Sequence, residues 1–309
     1  MREELQKVLS LIFPENMEPA RNLTISRLLF LGVPIFIGFY WISVTVFGNT
    51  YRGFDWVHFW GIGRVPPFYP PWTRFVIHWL NWHALVSLTL TAVLLAVMER
   101  SEHLISGGMT LLALPVLWTI FLGQLDGLAL LGVIFLPWLV PLALLKPQVT
   151  FFAFAAKKSY ALWLVLFLVF SVLVWGAWPL RTLATNSYYA EGRYPQDISI
   201  GLWGAMVALP LMWASRGDVD MLMLAGVFMT PHLIPYNLLP ATPAIARLRP
   251  LGAIIAMALS WLPLSANWLG PRGWWLGWLF VIWTWGNLAW KRYALGTRWC
   301  FGIGQDLSG

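Results

Sequence analysis

The chain has 309 residues, of which 59% are hydrophobic and 11% charged, and its mean hydropathy is +0.68. Soluble domains carry about 25% charged residues, so an ordinary soluble fold is excluded and a polytopic membrane protein is implied. The net charge of +7 comes from scattered basic residues, which rules out a nucleic-acid patch, and the single Cys300 rules out an internal disulfide or a thiolate metal site.

Residues 1–26 read as a cytoplasmic amphipathic lead-in. Leu5, Val8, Leu9 and Ile12 repeat at helical spacing opposite Glu4 and Lys7. Pro14 and Pro19 interrupt this stretch, and no cleavable leader is expected from it. The transmembrane domain is placed at 27–290 and a cytoplasmic tail at 291–309.

Ten apolar runs follow, at about 27–48, 76–98, 105–122, 127–145, 159–180, 198–214, 219–230, 233–246, 251–268 and 274–290. They predict an all-α fold of about ten transmembrane helices. The seventh and eighth are too short to cross about 30 Å as α-helices. Thr230-Pro231-His232 separates them, so they read either as two half-width helices or as one kinked span that would invert everything after it.

With the N-terminus inside, the inner segments hold Arg2, Lys7, Arg21, Arg27, Arg100, Lys146, Lys157, Lys158, Arg216, Arg247, Arg249, Lys291, Arg292 and Arg298. The outer ones hold only Arg52, Arg64, Arg74, Arg181, Arg193 and Arg272. The positive-inside rule then puts both termini in the cytoplasm, and the protein is expected in the plasma membrane. Among the 22 Trp, Trp41, Trp56, Trp60, Trp72, Trp178, Trp268, Trp274, Trp275 and Trp290 fall near span ends and are assigned to aromatic belts.

This orientation gathers polar residues on the outer side: Asp55 and His58, Gln124 and Asp126, Glu191 and Asp197, and His232. Polar groups at membrane-helix ends persist mostly where they line a cavity or a site. Asp55, walled by Trp56, Phe59 and Trp60, has the makings of a general base whose basicity desolvation would raise. The alternative is a solvated loop acid, or one paired with Arg52. Asp126 stands where an N-cap of the fourth span belongs. Arg64, Arg74 and Arg181 are candidate contacts for a lipid phosphate. His78 and His83 lie five apart, off the spacing of a helical metal pair, and no metal site is expected.

Four elements occur in order: Asp55 with Phe68-Tyr69-Pro70-Pro71, Gly123-Gln124-Leu125-Asp126, Leu145-Lys146-Pro147, and Thr230-Pro231-His232. Together they resemble the GT-C glycosyltransferases, and most nearly glycosyltransferase family 87, the polyprenyl-phosphate-mannose-dependent mannosyltransferases. The likeness covers about residues 27–246. The chain is shorter than family members, and Asp126 stands where the family has Asn. The resemblance implies a GT-C-like core and transfer of a hexose such as mannose from a polyprenyl-phosphate carrier at the outer face. Asp55 would be catalytic, and His58, Tyr69, Gln124, Asp126 and His232 would touch substrate. It leaves a divalent cation open as cofactor and implies membrane lipids as partners. The competing reading is a non-catalytic structural subunit of a membrane complex, built on a degenerate scaffold of this type. A transporter would also explain broken half-helices, but no internal repeat accompanies them.

Overall fold

The computed structural model describes residues 19–48, 50–65, 69–182 and 194–301, with side chains described between 30 and 293, Leu202 apart. Residues 1–18 of the expected lead-in, Pro66-Pro67-Phe68, Glu191, Arg193 and the side chain of Cys300 lie outside that set. The described residues are 79% helical, and no strand occurs among them.

Helix α1 (Pro19–Phe47) leads to a helical turn at Trp56–Trp60, the short α2 (Thr73–His78) and the long α3 (Trp82–Arg100). Asn81 starts α3 by accepting from the Ala84 N–H at 2.8 Å. Ser87, Thr89 and Thr91 lie inside α3 and donate to the carbonyls of His83, Leu85 and Ser87. Their hydroxyls are thereby satisfied without water, as an apolar surround requires. Next come α4 (Leu104–Leu111), α5 (Leu114–Leu122), α6 (Asp126–Ile134), α7 (Val140–Ala143) and α8 (Pro147–Thr150). The chain continues with α9 (Lys158–Trp175), α10 (Ala205–Ser215), α11 (Val219–Gly226), a 3-10 helix at Pro235–Arg247, α12 (Pro250–Trp261) and α13 (Gly277–Phe301).

Five segments are long and apolar enough to cross a membrane: Phe30–Phe47, Trp82–Arg100, Leu104–Leu122, Lys158–Trp175 and Pro250–Tyr293. The last doubles back, since Trp283 of α13 donates its Nε1–H to the Gly252 carbonyl of α12 at 3.0 Å. Large apolar side chains such as Val165, Phe170 and Leu173 of α9 stand exposed on the outside, as they would against lipid.

The run at 127–145 is not a span. Helix α6 is nine residues long, about 13 Å, which is under half of a bilayer core. Pro137 and Pro141 break the run, and the chain turns back on itself through α7. A Cβ on Gly132 would lie 2.1 Å from the Ala143 N, so only glycine lets the two backbones touch. Lys146 consequently returns to the start of α6, 3.6 Å from Asp126, instead of marking the opposite end. The stretch Pro147–Ala156 then makes the descent beside α11. Thr230 donates to the Gln148 carbonyl at its start, and Gly217 packs on the Ala156 carbonyl at its finish.

Residues 219–247 go out and come back. Arg247 meets Asp218 at 2.7 Å and Asp220 at 2.9 Å, which puts both ends of the segment at one end of the bundle and excludes a single kinked span. Arg100 joins Asp220 at 3.1 Å, Lys291 joins Glu102 at 2.7 Å, and Arg292 stands 3.8 Å from Asp218. This ionic end of the bundle is opposite the one that holds Asp55. Burial would raise the Asp218 carboxyl, but the Arg247 guanidinium outweighs it and holds the group below the ordinary carboxylate range.

Several Trp placed in belts are core residues instead. Trp56, Trp60 and Trp72 are buried, whereas Trp41, Trp268 and Trp290 are exposed as expected. Trp72 packs edge-on against Phe167 and Trp178 and donates to the Pro141 carbonyl at 2.9 Å. The described part of the proline-aromatic run, Tyr69-Pro70-Pro71-Trp72, thus plugs into the protein.

Candidate active site

Asp55 stands just before the helical turn Trp56–Trp60, and its chain neighbour Trp56 packs against Gly123. The bend between α5 and α6 carries Gln124, whose Nε2–H donates to Asp55 Oδ2. The same amide nitrogen lies 3.5 Å from the Tyr236 hydroxyl, at the start of the 3-10 helix. Gln124 Oε1 is buried and has no partner among the described residues.

Behind this pair lies a charged core. Asp126, fully buried, is the first residue of α6 rather than its cap. Its Oδ1 accepts from Asn237 Nδ2 at 3.2 Å, and its Oδ2 faces Lys146 Nζ at 3.6 Å. Asn237 is oriented by accepting the Ile234 N–H at 3.0 Å on its Oδ1, which leaves its amide nitrogen for Asp126. The Lys146 ammonium also lies 5.0 Å from the centre of the Tyr69 ring and 5.3 Å from that of Tyr236. These are cation–π contacts in a site where desolvation strengthens them.

The charges do not balance: two carboxylates face one ammonium. Lys146 is paired directly with Asp126, so Asp55 is the surplus carboxylate. Burial raises the Asp55 carboxyl above its ordinary value, against the Gln124 hydrogen bond and the field of Lys146. A raised carboxylate at the mouth of a polar cluster is equipped to take a proton from a hydroxyl.

Sequence reasoning therefore selects Asp55, Tyr69, Gln124 and Asp126, and the fold brings these four together. It misses Tyr236 and Asn237, whose only signal is a pair of polar residues after Pro235 in an otherwise apolar run. It names Lys146 as part of a motif but puts it at the wrong end. His58 is exposed, stacks on Phe54 with ring centres 4.2 Å apart, and sits close enough to lower the Asp55 carboxyl slightly. Arg64 and Arg181 are exposed, and Arg181 donates to the Trp175 carbonyl at 2.7 Å.

His232 forms a separate pair at the same end. Its Nδ1 is 2.8 Å from Asp197 Oδ2, while Asp197 Oδ1 accepts the Ser199 N–H at 2.9 Å and the Leu233 N–H at 3.1 Å. Burial opposes ionisation of Asp197, but these three donors outweigh it and lower the carboxyl to about 2.

Among the described residues no group of three or more His, Cys, Asp or Glu side chains could hold a metal ion. His83 is engaged with the Ser43 hydroxyl at 2.9 Å. Comparison with protein-family models, with curated proteins and with solved structures finds no match to this chain.

Proposed function

We propose that this protein transfers a sugar, a hexose such as mannose, from a polyprenyl-phosphate carrier to a hydroxyl acceptor at the outer face of the plasma membrane. In this reading the chain crosses about ten times with both termini inside, and the ionic end of the bundle, rich in Arg and Lys, is cytoplasmic. The observation that supports it best is the meeting of Asp55, Gln124, Asp126 and Lys146, which come from three elements of the resembling motifs far apart in sequence.

Asp55 would take the proton of the acceptor hydroxyl as that oxygen attacks the anomeric carbon of the sugar. The bond from that carbon to the phosphate oxygen breaks, and the polyprenyl phosphate leaves with the electron pair. Such proton transfer is worth typically about 10²–10⁴-fold. Gln124 would hold the carboxylate in position. Lys146 and Asp126 would set its charge environment, with Tyr69 closing the cluster.

A second reading rests on one feature. The Lys146–Asp126–Asn237 network is closed within the protein and could serve to fix the fold of a non-catalytic subunit. The two are separated by incubating purified protein in nanodiscs with a radiolabelled polyprenyl-phosphate hexose and a membrane extract as acceptor. Label moving into a new product supports transfer, and no product from any acceptor supports the subunit.

A further inference from the structure

One cavity of about 470 Å³ lies beside the Asp55 cluster, lined by Trp56, Trp60, Arg74, Ile77, His78 and Leu80 with Gly61 and Gly63. Every polar side chain in that lining can donate a hydrogen bond, and none is a carboxylate. Arg74 is exposed and has no hydrogen-bond or ion-pair partner among the described residues. Trp60 is 3% exposed, and its Nε1–H is buried without a partner. A Cβ at Gly61 would lie 2.7 Å from Trp56 Nε1, so a side chain there would cover a second indole N–H. Ile77, Leu80 and the indole faces supply an apolar wall next to these donors.

We infer that this cavity binds the phosphate headgroup of a single-chain lipid phosphate, with Arg74 and His78 on the phosphate oxygens and the apolar wall along the first chain carbons. Donors without acceptors demand an anionic, acceptor-rich group, and a guanidinium is shaped to hold phosphate oxygens in pairs. A buried indole N–H without a partner, such as that of Trp60, is costly unless something accepts from it. The wall also connects to the catalytic cluster: Trp56 follows Asp55 in the chain, and Trp60 packs edge-on at 4.8 Å against Tyr69, whose ring faces Lys146. The assignment deepens the transferase reading and rests on it only for calling this lipid the sugar donor; binding is measured independently.

The test uses the full chain in phosphatidylcholine nanodiscs with radiolabelled farnesyl phosphate, a soluble single-chain lipid phosphate, and empty nanodiscs as blank. Saturable binding is expected for the wild type. Unlabelled farnesyl phosphate should compete, whereas farnesol and inorganic phosphate should each compete at least about tenfold less well. Arg74→Gln should weaken binding about tenfold or more and Arg74→Lys by less, because the charge remains. His78→Gln should weaken it further when added to Arg74→Gln. Unchanged binding by the double variant, or no saturable binding by the wild type, would overturn the assignment. Inorganic phosphate competing as well as farnesyl phosphate would overturn the lipid half of it. Asp55→Asn should still bind farnesyl phosphate. If wild-type protein binds it but transfers no sugar, the transferase reading fails while the pocket stands.

Discussion

Lys146 Nζ lies 3.6 Å from Asp126 Oδ2, although the whole apolar run that looks like a membrane span separates them in sequence. The re-entrant hairpin of α6 and α7 closes that gap, and it brings the sole ammonium of the cluster to a buried carboxylate. The pairing leaves Asp55 without a counter-charge of its own, so the burial that raises its carboxyl is only partly offset by the Gln124 hydrogen bond and the field of Lys146.

Removing one member of this pair should therefore be costly. Lys146→Met leaves Asp126 buried and uncompensated, and a loss of about 3–5 kcal/mol is expected. Asp126→Asn removes the direct partner of the ammonium and leaves it only the more distant Asp55, so restoring the Asn of the resembling family is not neutral here. In the double variant the two losses should largely cancel. Thermal unfolding in detergent, arranged as a double-mutant cycle, measures the coupling. Additive losses would mean that the pair does not interact.

Asp126→Asn should also act on Asp55. With one carboxylate gone, Lys146 attends to Asp55 alone and lowers its carboxyl. Transfer should fall on acidification in the wild type, because a protonated Asp55 cannot accept a proton. In Asp126→Asn this acid limb should move to lower pH. A pH–rate profile of each protein decides the point, and coincident limbs would detach Asp126 from Asp55.

The Asp197–His232 pair gives a pH effect of definite sign. The folded carboxyl is lowered to about 2, below its unfolded value of about 3.9. Its contribution to stability is thus fully present above the unfolded value and is lost as pH falls through about 2. Wild-type protein should lose stability between about pH 4 and 2 more steeply than Asp197→Asn. Parallel melting curves across that window would show that His232 and the two N–H donors do not stabilise the anion.

Much of this end of the molecule is legible in the sequence. Asp55, Gln124 and Asp126 are conspicuous because polar residues beside apolar runs are expensive. The return of Lys146 is not legible. The turn that reverses the chain, Phe135-Leu136-Pro137-Trp138-Leu139, is apolar throughout, so hydropathy reads straight across it, and Pro137 with the following Pro141 gives the warning. Trp56, Trp60 and Trp72 mislead for a related reason. An indole suits a lipid interface and a protein core equally well, and only the partners Tyr69, Phe167 and Trp178 tell the two apart. The seventh and eighth runs look too short only if both are α-helical. The 13 residues at Pro235–Arg247 form a 3-10 helix, which rises about 2 Å per residue and so spans about 26 Å.

Orientation is open to chemical labelling. An impermeant thiol reagent added to intact cells should modify a cysteine at the exposed Ile62→Cys position in the Asp55 loop and spare Cys300. Labelling of Cys300 from outside, with Ile62→Cys protected, would invert the arrangement and place Asp55 in the cytoplasm.

The most direct test of the catalytic account is sugar transfer by Asp55→Asn in nanodiscs, from a radiolabelled polyprenyl-phosphate hexose. The amide keeps the shape of the carboxyl and a carbonyl oxygen for the Gln124 hydrogen bond, but it cannot take the proton of the acceptor. A fall of about 10²–10⁴-fold in rate is expected, with thermal stability close to that of the wild type. An unchanged rate would contradict the account and remove Asp55 from the chemistry.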